Sequence, residues 1–61
     1  MTPDQLRELL ADLNLSQRAA ARHLGIRERL FRRYAAGSRP IPPVVELALE
    51  GLKALADRGA P

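Results

Sequence analysis

Cysteine and tryptophan are absent from this 61-residue chain, and histidine, phenylalanine and tyrosine each occur once. Without thiols there is neither a disulfide nor a thiolate metal site, and His23 alone makes no histidine cluster. A chain this short buries only about 60% of the surface that its unfolded form exposes. With those props missing, helix packing or self-association must supply stability. No apolar run approaches the roughly 18 residues of a transmembrane helix. Met1-Thr2-Pro3-Asp4 carries no basic stretch and no apolar segment behind it, so no secretory signal is read and a cytoplasmic chain is expected. Thr2, Ser16 and Ser38 have no base beside them, and there is no Gly-rich phosphate loop and no paired-carboxylate cleft. The expectation is a non-enzyme without metal, cofactor or small-molecule effector.

Sheet formers are scarce as well. Two valines and two isoleucines stand against 11 leucines and 10 alanines, which predicts an all-α fold. The whole of residues 1–61 reads as one small four-helix domain, with no internal repeat and no low-complexity segment.

The net charge of +3 is unevenly spread. Residues 1–15 set Arg7 against Asp4, Glu8 and Asp12, a balance of −2, and residues 40–61 set Lys53 and Arg58 against Glu46, Glu50 and Asp57, a balance of −1. Residues 16–39 set Arg18, Arg22, Arg27, Arg29, Arg32, Arg33 and Arg39 against Glu28 alone, a balance of +6. A basic window of this kind is commonly just a solvated face. Its concentration, and the choice of arginine, whose planar fork suits phosphates and guanine edges, favour nucleic acid.

Four helices can be placed from caps and periodicity. Thr2, Pro3 and Gln5 form a capping-box start, and Leu6, Leu9, Leu10 and Leu13 recur at helical spacing over residues 3–13 before Asn14 ends the helix. Ser16 caps a second helix over about 17–24, whose stripe is Ala20, Ala21 and Leu24 and whose stop is Gly25. A third runs over about 28–36 to Gly37, with Leu30, Phe31 and Tyr34 inward and Arg29, Arg32 and Arg33 on the opposite face. Glu28 is placed to pair with Arg32 at i, i+4. Arg22 and His23 are assigned to solvent.

Pro40, Pro42 and Pro43 break the helix. A fourth helix follows over about 43–57, with a tail at residues 58–61. Its apolar stripe is too wide for one small core. Val44, Leu47, Ala48, Leu52 and Leu55 are read as the inward face. Val45, Leu49 and Ala56, with Leu52 at the border, are read as a dimer interface, and Gly51 as a place where another helix comes close.

The second and third helices, joined through Gly25-Ile26-Arg27, have the form of a helix-turn-helix over about 16–36. Leu15-Ser16-Gln17-x-x-Ala20-Ala21-x-x-Leu24-Gly25-Ile26, ending at Gly37, resembles the Cro/C1-type helix-turn-helix of phage and bacterial repressors over roughly residues 4–57. Arg29-Leu30-Phe31-Arg32-Arg33-Tyr34, then Arg39-Pro40-Ile41-Pro42 and Glu46-Leu47-Ala48-Leu49-Glu50, are similar to the short anti-CRISPR-associated regulators of phage operons.

The resemblance implies that the third helix enters a major groove. Arg29 matches a base-reading arginine and Arg32 an arginine of the same helix, both read here as base readers, and Gln17 and Arg18 match phosphate contacts at the second helix. Arg27 departs from the family, which usually has Ser or Thr capping the third helix, and is read as a phosphate contact together with Arg33 and Arg39. Glu28 either accepts from a cytosine amino group or orients Arg32. The function implied is a sequence-specific repressor of double-stranded DNA, acting as a homodimer on an inverted repeat and regulating its own operon. Two other readings stay open: the antitoxin of a toxin–antitoxin pair, and a protein-interaction or inhibitor module whose arginine face meets an acidic surface.

Overall fold

The first two helices are opened, and the first three closed, by local hydrogen bonds that their flanking residues dictate. A computed structural model describes residues 1–59, and the described residues form four α-helices and no strand: α1 (Pro3–Leu13), α2 (Gln17–Leu24), α3 (Glu28–Ala36) and α4 (Pro43–Gly59). At the start of α1 the Gln5 amide donates to Thr2 Oγ1 at 3.1 Å, and the Thr2 amide donates to Gln5 Oε1 at 2.8 Å, the reciprocal pair of a capping box. At α2 the Ala19 amide donates to Ser16 Oγ at 3.0 Å. α3 lacks such a bond, because Arg27 at its N-cap has no side-chain oxygen to offer.

All three helices stop in the same way. Asn14, Gly25 and Gly37 take left-handed backbone angles. The amide one residue further on then reaches back to the last turn, as Leu15 to the Leu10 carbonyl, Ile26 to Ala21 and Ser38 to Arg33. This pattern satisfies carbonyls that the helix leaves without partners. Gly25→Ala should destabilise by about 1–2 kcal/mol, the cost of left-handed backbone for a residue with a Cβ. Gly37→Ala should lose more, because its new Cβ would also meet Pro3 Cγ at 3.2 Å, whereas nothing lies near that of residue 25. Urea melts of the two variants test the order; equal midpoints would show that the Pro3 contact has no weight.

The core draws on every helix: Leu6 and Leu10 from α1, Ala20 and Ala21 from α2, Phe31, Tyr34 and Ala35 from α3, and Val45 and Leu49 from α4. α1 packs against both α3 and α4, and α2 packs against α3. The buried alanines let α2 and α3 approach closely, and Ile26 in the connecting turn packs against the edge of the core.

The orientation of α4 is the reverse of the sequence expectation. Val45 and Leu49, assigned to a dimer interface, are buried at 6% and 0% exposure within the chain, and Leu52 packs against the same core. Val44, Leu47 and Leu55, assigned inward, are 76%, 71% and 66% exposed. Residues 45, 49, 52 and 56 fall on one helical stripe and residues 44, 47, 51 and 55 on another. The periodicity therefore marks two apolar faces but cannot say which one docks, and Leu52, which packs inward as expected, does so beside Val45 and Leu49 rather than with Val44, Leu47 and Leu55.

Flanking polar contacts fit the observed choice. Lys53 Nζ lies 3.4 Å from Asp12 Oδ2 of α1, and the Met1 amino group lies 3.4 Å from Glu46 Oε2. Ala56 continues the docked stripe but is exposed, as are all residues from 54 to 59. α4 also runs through Arg58 and Gly59, beyond the helix end expected near residue 57; Ala60 and Pro61 of the expected tail lie outside the described residues.

Candidate nucleic-acid interface

α3 has two unlike faces because its sequence alternates bulk and charge at helical spacing. Phe31, Tyr34 and Ala35 are buried and fix the helix to the core. Arg29, Arg32 and Arg33 are exposed on the far side, with the small Ala36 one turn beyond Arg32. A nine-residue helix is about 13 Å long, comparable with the roughly 12 Å width of a DNA major groove.

The surrounding surface gathers most of the other residues expected to contact DNA. Gln17 and Arg18, at the start of α2, line one hollow with Arg32, Ser16, Ala35, Ala36 and Arg7. Arg27, Arg29 and Arg33 line a second hollow around Leu30. Arg39 is exposed on the connection after α3 and belongs to neither. Ion pairs further divide the arginines. Arg32 Nη2 lies 2.6 Å from Glu28 Oε2, and Arg18 Nε lies 3.9 Å from Glu28 Oε1. Arg27, Arg29, Arg33 and Arg39 have no ion-pair partner among the described residues.

Three cationic or polar side chains beside this surface lay outside the sequence assignment. Arg22 and His23 line a third hollow with Ser16, Arg18 and Ala19, extending the basic face along α2. Arg7 of α1 pairs with Asp4 and donates to the carbonyl of Ala35, bringing its guanidinium to the C-terminal end of α3. The Asp4–Arg7 spacing of i, i+3 was visible in the sequence; the reach to α3 depends on how α1 crosses it.

Chemically, the face can accept anions and planar acceptor groups. It holds three exposed guanidinium groups on α3, further arginines on both flanks, and one carboxylate, Glu28 of α3, within reach of Arg18 of α2. No group of three His, Cys, Asp or Glu side chains is gathered for metal binding among the described residues. No protein-family model matches the chain, and no curated protein or solved structure shows significant similarity to it.

Proposed function

We propose that the chain is a sequence-specific DNA-binding protein, a transcriptional repressor that inserts α3 into the major groove. The observation that carries this reading is the exposed Arg29, Arg32 and Arg33 face of α3, held on a helix whose opposite side is fixed by buried Phe31 and Tyr34. Arg29 and Arg32 take the base-reading role, each suited to guanine O6 and N7, at about 1–3 kcal/mol of discrimination per bidentate contact. Gln17, Arg18, Arg27, Arg33 and Arg39 take phosphates, which position the protein without specifying sequence.

The repressor acts as a homodimer on an inverted repeat, because a single module of this size covers too little DNA for tight specific binding. The dimer forms through the exposed Val44, Leu47 and Leu55 stripe of α4. A Cβ at Gly51, in the middle of that stripe, would meet nothing within 4 Å, leaving room for a second helix. Leu47→Glu should yield a folded monomer in sedimentation; a wild type that is already monomeric at binding concentrations contradicts the dimer. Resemblance to anti-CRISPR-associated regulators further suggests autoregulation of the chain's own operon.

The test is a binding titration with DNA from upstream of the coding sequence and a scrambled control, at about 50 and 200 mM salt, a range over which six to ten phosphate contacts weaken binding by about 10³–10⁵. Salt-sensitive preference for the upstream DNA supports the repressor. Indifference to both DNAs redirects the arginine face to an acidic protein partner.

A further inference from the structure

Glu28 is the sole acid among residues 16–39, and it sits in the middle of the basic face. Its two carboxylate oxygens engage different helices: Oε1 lies 3.9 Å from Arg18 Nε of α2, and Oε2 lies 2.6 Å from Arg32 Nη2 of α3. The Glu28 side chain is 38% exposed and the two arginine side chains 67% and 66%, so the cluster is open to solvent and any approaching ligand. Ion pairs this exposed add little to folding. They have a larger consequence for ligand binding, because each holds a cation that a phosphate would otherwise attract, and the carboxylate itself repels phosphate.

On the reading of this face as a DNA-binding surface, we infer that Glu28 is a specificity-determining residue that competes with the phosphate backbone for Arg18 and Arg32. Arbitrary DNA offers phosphates everywhere, and to use these two arginines it must break their contacts with Glu28. A cognate site offers Arg32 a guanine edge, whose two acceptors match the guanidinium fork, and so offsets that loss. Arg27, Arg33 and Arg39, unpaired among the described residues, carry the general attraction to DNA. Glu28 thereby lowers affinity for non-cognate DNA more than for the cognate site.

A different role for Glu28 follows from its position in the first turn of α3, where the Arg27 N-cap supplies no side-chain hydrogen bond. An acid there interacts favourably with the helix dipole. Such a role would move the melting midpoint of a variant and leave its DNA binding per folded molecule unchanged.

Glu28→Gln keeps the shape of the side chain and removes the charge. Binding of wild type and variant to a random-sequence duplex of fixed length, followed as a function of salt, separates the roles. The inference predicts that Glu28→Gln binds random duplex about tenfold more tightly near 100 mM salt, with a log affinity–log salt slope steeper by about 1–2, as expected for one or two more neutralised phosphates. In the Arg18→Gln/Glu28→Gln double variant the slope should fall back by about one, because one of the released cations is gone. Superimposable salt curves for wild type and Glu28→Gln, or a double variant that keeps the whole gain, overturn the inference and leave the DNA-binding reading standing. Folded proteins of which neither wild type nor Glu28→Gln binds duplex at any salt overturn that reading, and this inference with it.

Discussion

Leu49→Glu should unfold the chain. Leu49 is fully buried in the cluster that joins α4 to Leu6, Leu10 and Phe31. Truncating a buried leucine to alanine already costs about 2–5 kcal/mol, and a buried carboxylate without a partner costs more, through desolvation. At about 0.05–0.15 kcal/mol per residue, a chain of 61 residues has only about 3–9 kcal/mol to lose. Circular dichroism should therefore show loss of most helical signal at 25 °C. Leu47→Glu, two residues away on a side chain 71% exposed, should keep the helical spectrum of wild type at 25 °C, its melting midpoint moving only by what self-association contributes. A folded Leu49→Glu that differs from wild type only in oligomeric state would mean that α4 docks by its other face.

Arg29→Ala should remove discrimination at one base position per half-site while leaving the fold intact. Arg29 is exposed and makes no ion pair among the described residues, so the native structure gives up little with its side chain. A lost bidentate guanine contact weakens discrimination by about 1–3 kcal/mol, or about 5- to 150-fold, at one position per half-site. Both subunits of a dimer would lose it together. Arg33→Ala should behave differently: binding to all sequences weakens nearly evenly, and the salt slope falls by about one per subunit. Ratios of affinity for selected and scrambled duplexes, measured for both variants, test the division. Undiminished discrimination by Arg29→Ala would place base reading on another side chain.

The helices were legible in the sequence because their signals are local. Thr2 with Gln5, Ser16 with Ala19, and the left-handed Asn14, Gly25 and Gly37 act through bonds that span a few residues, so the starts of α1 and α2 and the ends of all three helices follow from the chain itself. The Glu28–Arg32 pair was legible for the same reason, as an i, i+4 contact. What failed was a choice between equals. α4 carries apolar residues on two stripes of similar bulk, and only its crossing with α1 decides that Val45 and Leu49 go inward. One clue had been in view: a mid-helix glycine fits an outward face, where no side chain is needed to fill the core, and Gly51 lies on the stripe that proved exposed.

At the site, the far face of α3 was readable once Phe31 and Tyr34 were placed in the core. The contacts from other helices were not, because neither Arg7 to the Ala35 carbonyl nor Arg18 to Glu28 follows from spacing along one helix. Both depend on how α1 and α2 cross α3.

The central claim is that the arginine face of α3 reads a particular base sequence. The most direct measurement is repeated selection of duplexes from a random-sequence pool by the purified chain near 100 mM salt, followed by sequencing. The expected result is convergence on an inverted repeat with guanines at fixed positions in each half-site, and loss of one of those positions per half-site when Arg29→Ala is used instead. A pool that remains random after selection by a folded, DNA-competent wild type would contradict it.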